Sequence, residues 1–315
     1  MTEETIPVRL IEVRYAARDI NLYSLARPDG APLPPASPGS HVDLILPNGT
    51  LRQYSLIDVD GPGDRYTIGV KRDAAGTGGS LFLHDRVPVG SMLRVSHPRN
   101  HFPLNEQAPH SVLIAGGIGV TPIYAMAARL AQLGKPFEIH YSSRSRDDAA
   151  LARELDTLGG CRFHFDAESE GRFLDLKAIV ASAPDGAHFY CCGPLPMLKA
   201  FEDATASLPP DHVHVEYFTA KEAAATEGGF SVELKRSGTS YVIPAGKTIL
   251  DVLREAGLDV PASCEKGVCG TCETRVLAGT PDHRDAILTE SEKRAGDTMM
   301  ICCSGAKSDR LVLDL

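Results

Sequence analysis

The sequence predicts a multidomain chain: an antiparallel β domain, then a doubly wound α/β domain, then a small α+β domain. Three observations predict this. Short β-prone runs divided by turn clusters fill the first third of the chain. Near residue 109 the rhythm changes to strands and helices in alternation. The last stretch then carries Cys264-x4-Cys269-x2-Cys272, with Cys302 and Cys303 further on.

The first domain is read over residues 1–106. The runs His41–Leu46, Arg52–Ile57 and Arg65–Lys71 are separated by Pro47-Asn48-Gly49 and Gly61-Pro62-Gly63-Asp64. Strands at that spacing predict a closed or sandwich-like antiparallel sheet. In Arg52-Gln53-Tyr54-Ser55 an arginine, a ring and a hydroxyl are read as projecting to one face. Such a face can pair a phosphate, cover a flavin and hydrogen-bond its edge; the same residues also suit an ordinary strand. Gly69-Val70-Lys71-Arg72 follows, then Gly78-Gly79-Ser80 opening a short helix, and a helix start suits phosphate. Lys71 and Arg72 read equally well as solvated surface charges.

The second domain is read over residues 107–222. Ser111–Ala115, Phe137–Tyr141, Arg162–Phe165, His188–Cys191 and Val213–Tyr217 are the strand candidates. Helical patterns between them predict a parallel sheet covered on both faces. After the first strand comes Ala115-Gly116-Gly117-Ile118-Gly119-Val120-Thr121-Pro122, with a helix expected from Ile123 to Leu133 and a stop at Gly134. Thr121 suits its N-cap and Pro122 its first position. The glycines let a ligand approach the backbone where the helix N-terminus favours a pyrophosphate. The spacing is not G-x-G-x-x-G, and a plain tight turn has the same look. A second turn, Cys192-Gly193-Pro194, also falls at a strand's carboxyl end, where open α/β sheets bind ligands. Cys192 alone suits a small buried hydrophobe, and Cys161 and Cys191 are read as core.

Residues 223–229, Ala-Ala-Ala-Thr-Glu-Gly-Gly, lack a packing pattern and predict a linker. The third domain, 230–315, has strands, one helix near Ile249–Ala256 and the cysteine loop. Its Cys-x4-Cys-x2-Cys run is the plant-type [2Fe–2S] spacing. Gly267 and Gly270 allow the tight wrap that brings three thiolates to one core, and exposes backbone N–H groups to the sulfurs. Structural zinc usually pairs two Cys-x2-Cys knuckles, and only one is present. A Rieske centre needs two histidines, and none lies in this loop or beside Cys302. Spacing leaves the fourth ligand open between Cys302 and Cys303.

Composition limits the remaining classes. Eight cysteines behind an acidic N-terminus with no signal pattern predict metal ligation in a reducing, cytoplasmic setting. No apolar run is long enough to cross a membrane. The net charge of −9 disfavours nucleic acid. From Gly229 onward there are 13 acidic and 11 basic residues, so the iron–sulfur domain is not a strongly acidic docking surface.

The tail Cys302-Cys303-Ser304-Gly305-Ala306-Lys307-Ser308-Asp309-Arg310 and the run to Leu315 resemble the C-terminus of the phthalate dioxygenase reductase and vanillate demethylase reductase family. That resemblance makes Cys302 the fourth ligand beside Cys264, Cys269 and Cys272, with Cys303 a neighbour pointing the other way. The two glycine turns together resemble the NAD(P)H domain of the ferredoxin–NADP reductase superfamily. This implies pyrophosphate contacts at Gly116, Gly117, Gly119, Thr121 and Pro122, and nicotinamide contacts at Cys192 and Gly193. The superfamily's Arg-x-Tyr-Ser motif implies a flavin, and the family implies FMN, at Arg52, Tyr54, Ser55, Lys71, Gly79 and Ser80. Phe218 would cover the flavin or nicotinamide face, or serve as a core aromatic.

The module order implies a β-barrel flavin domain, a nucleotide domain and a β-grasp ferredoxin domain. The implied function is electron transfer from NADH through FMN to the cluster, and on to a separate Rieske-type oxygenase, by a monomer. A nicotinamide delivers two electrons and a cluster takes one, so a flavin, which does both, belongs between them. No acid–base residue is required, and His283 is read as a surface-loop residue. In Ser142-Ser143-Arg144-Ser145-Arg146-Asp147-Asp148 the resemblance favours NADH, while Arg144 or Arg146 suits a 2′-phosphate. The alternatives are a quinone or cytochrome acceptor, or an iron–sulfur redox sensor.

Overall fold

A computed structural model describes residues 5–58, 63–169 and 171–315. It divides into two compact units, one up to Glu216 and one from Tyr217 onward. Part of the expected 61–64 turn and the acidic N-terminus lie outside the described residues.

The first unit holds two sheets. One is antiparallel, built from β1 (Ile6–Ala17), β2 (Ile20–Ala26), β3 (Ser40–Ile45), β4 (Leu51–Ser55), β5 (Tyr66–Lys71) and β6 (Met92–Val95), with β7 (Arg99–Asn100) paired to β3. Its order is β4-β3-β6-β1-β2-β5. The two ends of that path meet through the Leu56–Ile68 bridge, so the sheet closes on itself. Ile6, Val8 and Leu10 alternate inward with exposed Pro7 and Arg9, the period-two pattern of a half-buried strand. They join Leu25, Val42, Leu44, Leu56, Ile68 and Val95 in one core. A short helix, α1 (Gly79–Arg86), follows the positive-φ Gly78 as expected.

The second sheet is parallel, in the order β10-β9-β8-β11-β12. Its strands are β8 (Ser111–Gly116), β9 (Phe137–Ser143), β10 (Cys161–Phe165), β11 (His188–Cys192) and β12 (Val213–Glu216). The helices α2 (Val120–Gln132), α3 (Ala152–Leu158), α4 (Leu176–Ser182) and α5 (Leu195–Thr205) run between them. Every residue of β8 is buried, as a central parallel strand requires. In α2 the buried Val120, Ile123, Met126, Ala127 and Leu130 form one helical stripe. The helix stops where Gly134 takes φ +64° and Lys135 N–H reaches the Leu130 carbonyl at 2.9 Å.

One local expectation fails here. The chain winds through a 3-10 turn, Gly117–Gly119, directly into α2, so the N-cap is Gly119. Thr121 therefore sits inside the first turn, its hydroxyl donating to the Ile118 carbonyl at 3.1 Å. Among the described residues no helix is long and apolar enough to cross a membrane.

The second unit is a mixed five-stranded sheet of order β14-β13-β19-β15-β17. The ranges are β13 (Phe230–Leu234), β14 (Thr239–Ile243), β15 (Glu273–Ala278), β17 (Thr298–Met300) and β19 (Arg310–Leu313). A separate pair joins β16 (Pro281–Asp282) to β18 (Gly305–Ala306). Helix α6 (Ile249–Glu255) buries Ile249, Leu250 and Leu253 in a core shared with Val232, Met299, Ile301 and Leu311. A short helix, α7 (Glu290–Ala295), precedes β17. Residues 223–229, expected to be a linker, make backbone contacts within this unit. Ala225 is buried and its N–H reaches the Cys303 carbonyl at 2.8 Å. The Thr226 carbonyl accepts from Gly246, and Gly229 N–H reaches the Ile243 carbonyl. Alanine's small side chain gives no periodic signal, yet it fits where Gly305 leaves room.

Candidate functional site: three cofactor-type sites in one chain

The cysteine loop folds as a thiol cluster. Gly267 at φ +68° and Gly270 at φ +76° give the wrap its left-handed turns. The N–H groups of Lys266 and Val268 point at the Cys264 sulfur, at 3.3 and 3.4 Å. The Cys264 thiol reaches both Cys269 and Cys302, and Cys272 also reaches Cys302. The Cys302 sulfur thus accepts from Cys264, Cys272 and Cys303 and from Gly267 N–H, which holds its thiol far below the ordinary value. Cys264 and Cys272 are pushed far up, first by donating to that sulfur or its neighbour and then by burial.

Four contiguous sulfurs with inward N–H donors fit a cationic iron–sulfur core, because thiolates this close repel one another without one. Among the described residues no three His, Cys, Asp or Glu side chains are arranged around a single ion. The sulfurs instead form a chain, Cys269–Cys264–Cys302–Cys272, compatible with a core of two irons that shares four cysteines.

Cys303 does not point away as expected. Its buried thiol touches the Cys302 sulfur, and a side chain at Gly267 would strike it at 2.5 Å. His283 is likewise no surface residue. Its side chain is 8% exposed and lies 3.7 Å from a fully buried Asp285 oxygen. The Pro-Asp-His-Arg run looks solvated in sequence, but β16 pins it inside.

In the first unit, Arg52 and Gly79 come together: a Cβ on Gly79 would lie 2.5 Å from Arg52 Nε. Arg52 also bonds the Thr77 hydroxyl and carbonyl just before α1. Ser80 Oγ accepts from Asp73 N–H at 3.1 Å, and Lys71 stands exposed at the end of β5. Arg72 is committed to Asp85, at 2.9 Å. The expectation that Arg52, Tyr54 and Ser55 share one face fails on the pleat: Arg52 and Tyr54 are two apart, but Ser55 is three from Arg52. The Tyr54 hydroxyl and Ser55 Oγ are both buried with no partner among the described residues. Buried hydroxyls seldom lack one, so each of these donors fits a bound polar group.

The two glycine turns touch. A Cβ on Gly116 would meet Pro194 at 2.6 Å and Met197 at 2.8 Å, and one on Gly119 would collide with the Cys192 carbonyl. Both turns flank the point where the strand order reverses, between β8 and β11. Tyr141 fixes the first by donating to the Gly117 carbonyl at 3.2 Å. Pro122 is buried in the first turn of α2. Gly69 of β5 packs on Thr121, with a Cβ there falling 2.6 Å from its methyl, so the flavin-type strand and the nucleotide-type turn adjoin. Phe218 belongs to the other unit and is 37% exposed.

Sequence reasoning missed Glu216. Ending β12 opposite Cys192, it accepts a hydrogen bond from that thiol, and its buried Oε2 has no partner among the described residues. Burial pushes the carboxyl up to about 8. Only the parallel pairing of β11 with β12 brings the two together, so no local motif could have announced the pair.

Two family models match the chain. Residues 113–203 match the oxidoreductase NAD-binding domain and 232–307 the 2Fe-2S iron-sulfur cluster binding domain. The phenoxybenzoate dioxygenase subunit beta of Ectopseudomonas oleovorans is 53% identical over 100% of this chain and 98% of its own. The tetrachlorobenzoquinone reductase of Sphingobium chlorophenolicum is 46% identical over 99% and 98%. The solved structure of phthalate dioxygenase reductase, described as modular for electron transfer from pyridine nucleotides to [2Fe-2S], is 40% identical. It superposes with TM-score 0.74 over 99% of this chain and 98% of that one. The chain belongs to the phthalate dioxygenase reductase and vanillate O-demethylase reductase family. It is an oxidoreductase, the reductase component of an oxygenase system, and its family carries electrons from NADH through FMN to [2Fe–2S].

Proposed function

We propose that this reductase delivers those electrons to a separate Rieske-type aromatic-ring dioxygenase or O-demethylase, through the residues described above. The observation that carries the reading is the thiol chain Cys269–Cys264–Cys302–Cys272, an exit for single electrons in a protein that also has a nucleotide sheet. When bound, FMN exchanges electron pairs with nicotinamide and single electrons with iron–sulfur clusters. Arg52, Lys71, Gly79 and Ser80 hold its phosphate end, and the Tyr54 and Ser55 hydroxyls meet its ring. Gly117, open where a side chain would go, leaves room for the NADH pyrophosphate at the start of α2, Gly116 and Gly119 let the two turns close on each other, and Thr121 and Pro122 shape the floor. Cys192 and Gly193 border the nicotinamide, and Glu216 keeps a neutral acid behind Cys192.

In this reading residues 1–106 are an FMN-binding β-barrel and 107–222 the NAD domain. Residues 223–229 connect them to a β-grasp ferredoxin domain at 230–315, and the protein is a cytoplasmic monomer. Relatives named as dioxygenase components support an oxygenase partner. One relative's name as a benzoquinone reductase favours a second reading, in which a quinone is the acceptor. Oxygen uptake with NADH, purified reductase and candidate Rieske oxygenases tests the choice. We expect uptake that needs both proteins. Quinone reduction that survives loss of the cluster, with no oxygenase served, would establish the second reading instead.

A further inference from the structure

The two arginines leaving β9 differ in what they hold. Arg144 is exposed, and no hydrogen bond or ion pair of its side chain is seen among the described residues. Arg146 is engaged twice. Its guanidinium grips both oxygens of Glu168, Nε to Oε1 at 2.8 Å and Nη2 to Oε2 at 3.0 Å. It also lies over the Phe165 ring, 4.7 Å from the centroid. Glu168 closes the 3-10 turn that follows β10, and Ala167 N–H of that turn bonds the Arg144 carbonyl at 3.0 Å. Ser143 Oγ donates to the Ser145 carbonyl at 2.8 Å, which fixes the bend. In the sheet Ser142 stands opposite Gly116, so this edge adjoins the first glycine turn.

In nucleotide-binding sheets of this kind the adenosine ribose lies at the end of the second strand. There an acid takes the 2′-hydroxyl, or an arginine accommodates the 2′-phosphate. This chain has both at that edge and pairs them with each other. We propose that Glu168 selects the coenzyme by silencing Arg146. Two charge-assisted bonds and a ring contact must be given up before Arg146 can receive a 2′-phosphate. The carboxylate left behind then repels that phosphate. A ribose 2′-hydroxyl makes no such demand, so NADH is unaffected. The inference rests on the reading that the nucleotide binds along the carboxyl edge of this sheet.

Both side chains are largely exposed, so their removal leaves the fold intact. The experiment compares kcat/KM for NADH and NADPH, with ferricyanide as acceptor, in wild type, Glu168→Gln, the double variant Glu168→Gln with Arg146→Ala, and Arg144→Ala. Glu168→Gln should raise kcat/KM for NADPH about tenfold, through KM, and change that for NADH by less than about twofold. Adding Arg146→Ala should remove the gain. An unchanged NADPH value in Glu168→Gln, or a gain that persists without Arg146, overturns the role of Glu168. If Arg144→Ala still shifts either KM in that case, the nucleotide lies here and only the Glu168 inference has failed. If no substitution at 144, 146 or 168 moves either coenzyme's KM, the placement of the nucleotide fails with it.

Discussion

Burial moves the Glu216 carboxyl up to about 8, and one of its oxygens has no partner among the described residues, so near neutral pH the acid keeps its proton. The unfolded chain gives up that proton near the ordinary value of 4.5. Between these limits the folded state holds a proton the unfolded state has lost, so folding stability falls as pH rises. The contribution is fully present below about 4.5 and lost through about 8, a change on the order of 4–5 kcal/mol. Glu216→Gln keeps the site neutral at every pH. Urea midpoints measured from pH 5 to 8.5 should slope downward in wild type and flatten in the variant; parallel slopes would mean that Glu216 does not titrate in this way. Cys192, the donor to Glu216, is itself fully buried and its thiol is pushed well up, first by burial and then by that carboxylate. It is therefore a neutral thiol at the strand end, suited to packing against a flat ring and unsuited to acting as a nucleophile.

At the scale of elements, the glycine turns decide how closely a ligand can approach. Gly116 has Pro194 and Met197 where a side chain would go. Met197 can swing, but the proline ring cannot. Gly116→Ala should therefore push the two turns apart and raise KM for NADH about tenfold, with flavin content and reoxidation by ferricyanide unchanged. Steady-state kinetics on flavin-replete protein check this, and an unaltered KM would remove the turns from the coenzyme site. These turns were legible in the sequence because glycine between a strand and a helix has few other uses. The runs from His41, Arg65, Ser111, Phe137 and His188 were legible too, since their apolar density matches β3, β5, β8, β9 and β11. β1 was not: its alternation lapses after Leu10, where Ile11, Glu12, Val13 and Arg14 all face solvent. Nor were Glu216 beside Cys192, Glu168 on Arg146, or the tethering of Ala225, because each depends on pairing between segments distant in sequence.

For the whole molecule, the sites impose an order on electron flow. Phe218 apart, the flavin-type and nucleotide-type residues lie in one unit, with Gly69 packed on Thr121 between them. All four cluster-type cysteines lie in the other. Acceptors that draw on the first unit alone should therefore be separable from those that need the second. Cys272 is the test position, because its thiol is buried and reaches Cys302 in the middle of the sulfur chain. Cys272→Ser should abolish the cluster's visible absorbance and its electron paramagnetic resonance signal. Cytochrome c reduction by NADH should fall by about 100-fold, while ferricyanide reduction stays within about twofold of wild type. Cys303→Ala is the companion variant. It removes a buried thiol that also touches Cys302 but is not in the assigned ligand set, so cluster content and both activities should survive. Undiminished cytochrome c reduction in Cys272→Ser would mean that electrons leave from the flavin. Loss of the cluster in Cys303→Ala, with retention in Cys302→Ala, would transfer the fourth ligand to Cys303.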